Sequence, residues 1–383
     1  MTYKTPVKYK LIKLSEILNF VKKTNHRASE GQQTGKYKFF SSSAIQTKFS
    51  DSFDYDGEYL IFGTGGTASV HYCNGRFSST ADCLVANITT SFSIKYVHKY
   101  LHYNIHLLEE GFRGAGLKHI SKSYIEKIQI AIPNDKIAQE KIVSILDKTE
   151  LLQQWRKESD KLTKDYLNSI FYKMFGDMTP NNNNWPLKTV REAAEKVSDG
   201  PFGSNLKTEH YTNDGVRVIR LQNIGVGQFL DNDRAFISLE HYSKLKKHTC
   251  CPGDVIVGTL GDPNLRACIL PNNVSLAINK ADCIQIRPNK NMVNAEYLCY
   301  LLNTPQMLHF ASNYMHGQTR TRISMSQVAS LPLPIPPLSL QNKFALIVNS
   351  FDFLLVNLKV SKSLIDRLSE VLMKEAFNGE LTC

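Results

Sequence analysis

The chain repeats itself, and nothing else in the sequence restricts its fold as much. Ile132-Pro133-Asn134-Asp135-Lys136-Ile137-Ala138-Gln139 leads into a long stretch that ends at Phe175-Gly176-Asp177. Ile335-Pro336-Pro337-Leu338-Ser339-Leu340-Gln341 leads into a second such stretch. With a one-residue gap, Gln139 falls on Gln341, Lys141 on Lys343, Ile145 on Ile347 and Phe175 on Phe377. The match also extends backwards. Ile120-Ser121 answers Ile323-Ser324, Ala81-Asp82-Cys83 answers Ala281-Asp282-Cys283, and Gly57-Glu58 answers Gly253-Asp254. The chain is therefore built twice, as a block of about 135–160 residues followed by a helix. Solenoid repeats have units of ~20–50 residues, so this is a duplicated domain.

The stretches after each Ile-Pro read as long helices. In the second, Phe344, Ile347, Phe351, Leu354, Leu358, Ser361, Ile365, Leu368 and Leu372 alternate steps of three and four, a heptad seam. The aligned positions in the first are Ile142, Ile145, Thr149, Leu152, Arg156, Ser159, Thr163, Tyr166 and Ile170, a weaker seam. Proline precedes each helix at Pro133 and at Pro336-Pro337, where it removes no helical hydrogen bond, and Gly176 and Gly379 stand where helices end. About 38 residues at ~1.5 Å each make a rod of roughly 55–60 Å. The heptad register and the length favour two helices packed on each other, antiparallel because a whole block separates them. The plainer alternative is two amphipathic helices, each lying on its own block.

Charge separates blocks from helices. Residues 1–135 hold 17 basic and 11 acidic groups, and residues 179–337 hold 16 and 12. Residues 136–178 hold 8 and 7, and residues 338–383 hold 5 and 5. Nearly all of the formal +11 thus sits in the two blocks, which leans them towards nucleic acid. The blocks look strand-rich. Gly215–Leu221 alternates like a half-buried strand with Arg217 and Arg220 on its polar side, while Val255-Ile256-Val257 and Cys283-Ile284-Gln285-Ile286 read as buried strands. Asn294–Asn303 reads as a short helix matched near Lys95–Glu109, and Asn181-Asn182-Asn183-Asn184 as a linker.

Catalytic signatures are missing from the sequence. Gly63-Thr64-Gly65-Gly66 is followed by neither G-K-[ST] nor G-x-G-x-x-G and reads as a tight turn. Asn223 and Asn279 are not followed by the Pro-Pro-aromatic of amino-methyltransferases. No H-E-x-x-H pair or G-x-S-x-G elbow occurs, and of eight cysteines the only close pair is the adjacent Cys250-Cys251, which cannot grip one zinc in C-x-x-C fashion. No run of about 18 apolar residues or signal-like N-terminus occurs, so a cytoplasmic chain without membrane contact is expected.

Two loop regions carry the binding chemistry. Asp199–Lys207, with Gly200, Gly203, Ser204 and Lys207, can bring backbone N–H groups to phosphate or can simply turn the chain. His316–Ser324, with Arg320 and Arg322, is matched by Arg113–Ser121, with Arg113, Lys118 and His119. Glycine beside basic groups at a loop-to-helix junction suits phosphate or guanine; the plainer reading is a solvated basic loop with an Ile-Ser anchor.

Two basic blocks, each followed by Ile-Pro, a glutamine-containing turn and a long helix, resemble the specificity subunit of type I restriction–modification systems. Ile145-Leu146-Asp147, Phe175-Gly176-Asp177 and Asp199-Gly200-Pro201-Phe202-Gly203-Ser204 carry the resemblance too. It covers essentially the whole chain. Asn342 replaces the usual acidic residue after the glutamine, and the first block lacks the Gly-Pro-Phe-Gly phrase. The resemblance implies an α+β fold: two mixed α/β, strand-rich target-recognition domains, 1–135 and 179–337, separated by two long antiparallel coiled-coil spacer helices, 136–178 and 338–380, with a pseudo-two-fold repeat. Each domain would read half of a bipartite site in double-stranded DNA through Arg113, Lys118, His119, Ser204, Lys207, Arg217, Arg220, Arg320 and Arg322. The helices would fix the spacer and dock two methyltransferase subunits. No cofactor is expected in this chain: S-adenosylmethionine would bind the methyltransferase subunits, and ATP and magnesium the motor–nuclease subunits. The rival reading is the recognition portion of a fused methyltransferase–nuclease, opposed by the missing cofactor motifs. A scaffold that never touches DNA is opposed by the basic blocks.

Overall fold

The computed structural model describes residues 8–177, 181–261, 263–313, 322–378 and 380. They divide into two compact units, Met1–Glu158 with Leu358–Cys383, and Ser159–Asn357.

The first unit contains β1 (Tyr9–Lys13), β2 (Leu18–Phe20), β3 (Tyr37–Phe40), β4 (Lys48–Ser50), β5 (Tyr55–Gly63), β6 (Ser69–Ser79), β7 (Cys83–Ile88) and β8 (Gln129–Pro133). Its helices are α1 (Ile94–Tyr103), α2 (His106–Glu109), α3 (Lys122–Lys127), the first part of α4 (Lys136–Phe175) and, from Leu358, the end of the last helix of the chain. Six strands form one sheet in the order β2-β7-β5-β6-β3-β4, and β1 pairs separately with β8. Among the described strands of this unit only β3 and β6 run parallel, with Phe39 opposite Ser78. The long β5–β6 hairpin is continuous through the facing pair Gly57 and Gly75, both at positive φ (133° and 114°) that only glycine adopts without strain.

The second unit repeats this plan with breaks. It holds β9 (Leu187–Thr189), β10 (Ala194–Ser198), β11 (Tyr211–Thr212), β12 (Val216–Ile219), β13 (Ala235–Ile237), β14 (Thr249–Cys250), β15 (Val255–Gly258), β16 (Ala267–Ile269), β17 (Ala277–Asn279), β18 (Cys283–Pro288) and β19 (Pro332–Pro334). Its helices are the last part of α4, α5 (Leu239–Ser243), α6 (Ala295–Leu302), α7 (Pro305–Ser312), α8 (Met325–Ala329) and the first part of α9 (Leu338–Asn378). The order β10-β18-β15-β16 reproduces β2-β7-β5-β6, and β12–β17 is parallel like β3–β6. Where the first unit keeps β5 whole, Pro252-Gly253 separates β14 from β15, and residues 270–276 separate β16 from β17. Proline removes a ladder donor there, so the hairpin splits into two sheets.

Within each unit the long helices pack antiparallel. In the first, Gln153 Nε2 donates to Asp366 Oδ1 at 3.0 Å, and Ile142 and Leu146 share a core with Ala376 and Phe377. In the second, the Tyr166 and Phe351 rings lie 5.9 Å apart, and Phe171 and Phe175 close on Phe344. Ile142 and Phe344 are fully buried; Ile145, Ile170, Ile347, Phe351, Leu358, Ile365 and Leu372 are half-buried. Three seam leucines depart from the expected enclosure: Leu152, Leu354 and Leu368 are 40%, 50% and 48% exposed. A pair of helices covers only one flank of a seam residue. Gly176, at φ 74°, ends α4 with its N–H on Tyr172 O at 2.8 Å; Gly379 lies outside the described residues.

The repeated glutamines explain how helix and sheet are joined. Gln139 is fully buried: its Oε1 accepts from Ser93 N, the N-cap of α1, at 2.7 Å, and its Nε2 donates to Pro133 O at 2.8 Å. Gln341, equally buried, accepts from Asn294 N, the N-cap of α6, at 2.9 Å and donates to Pro336 O at 2.7 Å. Each amide thus ties a helix cap to the Ile-Pro strand end. Tyr96 and Tyr297 hydroxyls reinforce the joint on Ala131 O (3.0 Å) and Pro334 O (2.9 Å). Gln139→Ala or Gln341→Ala leaves two buried backbone groups unpaired and is expected to cost about 2–4 kcal/mol. Urea unfolding measures it, and an unchanged midpoint would mean that the amides join nothing.

Candidate nucleic-acid interface

The basic turn of the first unit is exposed and firmly tethered. Arg113 and His119 exchange both backbone hydrogen bonds at 2.9 Å, which closes residues 113–119 into a loop. Gly66 N donates to Lys118 O at 3.1 Å, and Ile120 N donates to Thr64 O at 3.0 Å, so the loop hangs on the turn after β5. Gly63–Gly66 is thus a structural turn. Arg113, Lys118 and His119 all reach solvent from this one loop.

In the second unit Arg322 occupies the corresponding place. It bridges Leu260, as His119 bridges Gly65, and Ile323 N donates to Thr259 O at 3.3 Å. Its guanidinium is half exposed, pairs with Asp282 Oδ1 at 2.7 Å and lies 6.0 Å from the Phe202 ring centroid. Arg320 lies outside the described residues. The 199–207 loop, by contrast, is anchored at both ends. Asp199 O contacts His248 Nδ1 at 2.7 Å, and a Cβ on Gly200 would sit 2.2 Å from the Lys280 carbonyl carbon. Asn205 O contacts His241 Nε2 at 2.8 Å. Ser204 and Lys207 are exposed on it, Lys207 with Glu209 at 3.5 Å, and so is Phe202.

Two expected contact residues are engaged inside the protein instead. Arg217 is 7% exposed; β12 is buried along its whole length, so the strand has no polar side. Its Nη2 donates to Asp231 Oδ1 at 2.8 Å and to Asp233 O at 2.7 Å. Arg220 forms a two-pronged pair with Asp233, through Nε at 2.7 Å and through Nη2, and lies 5.6 Å from the Tyr211 ring centroid. Asp231 and Asp233 pair with these arginines, Asp231 also with Arg234 at 2.5 Å, which engages Arg217 and Arg220 within the protein. The two carboxylates were legible in the sequence, but their distance from β12 was not.

The buried cysteines are chemically quiet. Burial pushes the Cys268 thiol up to about 12, and Cys250 and Cys283 are raised by the same cause. Among the described residues no group of three or more His, Cys, Asp or Glu could hold a metal ion, and no helix is long and apolar enough to cross a membrane.

A family model described as the type I restriction modification DNA specificity domain matches residues 6–164 and again 182–363. The chain belongs to this family. It is 22% identical over 308 residues to the type I restriction enzyme MjaVIII specificity subunit of Methanocaldococcus jannaschii, covering 74% of this chain and 70% of that one. To the EcoDI specificity subunit of Escherichia coli it is 20% identical over 424 residues, covering 99% and 90%. Among solved structures, the type I restriction–modification S subunit from M. genitalium superposes with a TM-score of 0.64 at 15% identity over 98% of both chains. A chain from a study of type I system assembly and conformational transition gives 0.56 at 14% identity over the full length of both. These likenesses establish a shared fold with the specificity subunits.

The clamped and the exposed cations are expected to behave oppositely. Arg217→Ala removes the buried partner of Asp231, which is one-third exposed and keeps Arg234, and removes one donor to Asp233 O, so it is expected to destabilise the second unit by about 1–3 kcal/mol. Lys118→Ala should leave stability within about 0.5 kcal/mol and flatten the salt dependence of DNA binding by about one unit of slope. Thermal unfolding beside a salt titration of DNA affinity separates the two; equal stability losses would contradict the assignment.

Proposed function

We propose that this specificity subunit reads a bipartite site in double-stranded DNA, one half through each unit, and uses its long helices as spacer and dock. The observation that supports this best is the duplicated scaffold: the same sheet order and Ile-Ser anchor carry differently composed basic turns, Arg113–His119 in one unit and Arg322 in the other. Two readers on one plan suit two unrelated half-sites. α4 is continuous over 40 residues, a rise of ~60 Å. At ~3.4 Å per base pair that leaves room for two half-sites and unread base pairs between them.

The helices also offer a surface for partners. In the first unit Leu151 and Trp155 of α4 and Val360, Leu364 and Val371 of α9 are exposed. Apolar side chains clustered on a helix pair mark an interaction site rather than a solvent face. Two methyltransferase subunits are the partners proposed, bringing S-adenosylmethionine, with motor–nuclease subunits bringing ATP and magnesium for cleavage. The chain itself then contributes sequence selection and no bond-making step. The fused-enzyme alternative has no motif in this chain to support it.

Labelled S-adenosylmethionine binding and adenine methylation, measured on the purified chain and again with its methyltransferase partner, test this reading. The chain alone is expected to bind DNA in a salt-sensitive way and to transfer no methyl group. Methylation by the isolated chain would overturn it.

A further inference from the structure

The two units differ most informatively at one backbone position. Thr64 and Thr259 play the same part: the N–H and Oγ1 of Thr64 donate to Asp82 O at 2.9 and 2.7 Å, and those of Thr259 to Asp282 O at 2.9 and 3.1 Å. Their carbonyls accept from Ile120 N and Ile323 N, both isoleucines are buried, and Ser121 and Ser324 cap the helices that follow. On this shared frame, the residue just before the isoleucine is His119 in one unit and Arg322 in the other, each exposed.

Resting on the DNA-reading function above, we propose that this slot is the base-reading position of each unit, and that Asp282 is the positioning residue that aims Arg322 at guanine. A phosphate anchor needs only positive charge, whereas the two units place heads of different hydrogen-bonding shape in this slot, an imidazole and a guanidinium. A frame held constant under two different hydrogen-bonding heads is what reading two different bases requires. Neither head is needed by the frame, whose bonds run through backbone and through Thr64, Thr259, Ser121 and Ser324.

Asp282 supplies the second observation. It holds φ 53°, the left-handed region, which few non-glycine residues adopt and which is often retained at functional sites. Its carbonyl is fixed by Thr259, and its Oδ1, buried and without a hydrogen-bond partner, is held to Arg322 by charge at 2.7 Å. The aligned Asp82 is not among the residues at positive φ. A carboxylate on one edge of a guanidinium orients the planar fork and leaves the other edge for guanine O6 and N7. The exposed Phe202 ring, on its anchored loop, limits the guanidinium from one side. His119, packed over Gly65 with 3.1 Å between its Cε1 and a Cβ placed there, can offer a base edge only one nitrogen at a time.

The test uses the full chain assembled with its methyltransferase subunits and selection from randomised duplexes, read base by base. Arg322→His is expected to lose roughly 5- to 150-fold discrimination at a single guanine of one half-site and to leave the other half-site unchanged. Asp282→Asn keeps the arginine, and asparagine tolerates left-handed backbone, so the fold should stand while preference at that same base pair falls several-fold. His119→Arg should shift one position of the other half-site towards guanine. If Arg322→His and Asp282→Asn weaken every sequence by the same factor, the slot is a phosphate contact and this inference falls while DNA reading survives. If the unsubstituted assembly selects no sequence at all, the reading on which it rests falls as well.

Discussion

Phenylalanine at the end of each long helix is the contact on which both units depend. Phe377, from α9, packs against Tyr96, Tyr100 and Tyr103 of the first unit at 5.8, 5.3 and 5.3 Å between centroids. Phe175, from α4, packs against Tyr297 and Phe344 of the second at 4.7 and 5.4 Å. Each sheet is thus sealed by the helix that belongs, in sequence, to the other repeat. A buried phenylalanine contributes about 1.5–3 kcal/mol, and each aromatic pair adds about 0.5–1.5 kcal/mol. The repeat in sequence and the unit in space are therefore not the same piece of chain. The division into units falls inside both helices, after Glu158 and after Asn357.

That crossing also explains why the buried polar residues of the frame recur while the surface of the units diverges. Gln139 and Gln341, Thr64 and Thr259, and Tyr96 and Tyr297 each hold backbone groups that would otherwise be orphaned inside the protein. The penalty for an unpaired buried group restricts these positions to very few residue types. The exposed turns bear no such restriction. His119 and Arg322 can differ without disturbing Ile120 or Ile323 behind them. On the proposed reading, stability and base selection rest on different residues that are neighbours in sequence.

Much of the fold was legible because it rests on patterns with a period. The heptads placed both long helices, Asn294 marked the start of α6, and the Ile-Pro and Ala-Asp-Cys phrases marked equivalent strand ends. The site was less legible, because ion pairing is decided by distances between segments remote in sequence. Arg217 looked available until Asp231 was found beside it, and Asp282 gave no sign that it would face Arg322. Leu152, Leu354 and Leu368 fit the heptad yet stay open, because periodicity reports a side of the helix and not how much partner covers it.

The proposed function makes the long helices a spacer between two independent readers. Gln153 faces Asp366, so a matched change must enter α4 between Arg156 and Leu162 and α9 between Val360 and Leu364. Four residues added at each level lengthen the pair by ~6 Å with slightly more than one turn, so the packed face is nearly kept. Base-resolution mapping of adenine methylation in cells carrying the altered subunit reads the result. The account predicts both half-sites unchanged and an unread spacer longer by about one or two base pairs. An unchanged spacer flanked by altered half-site sequences would contradict it, and would place base recognition on the helices themselves.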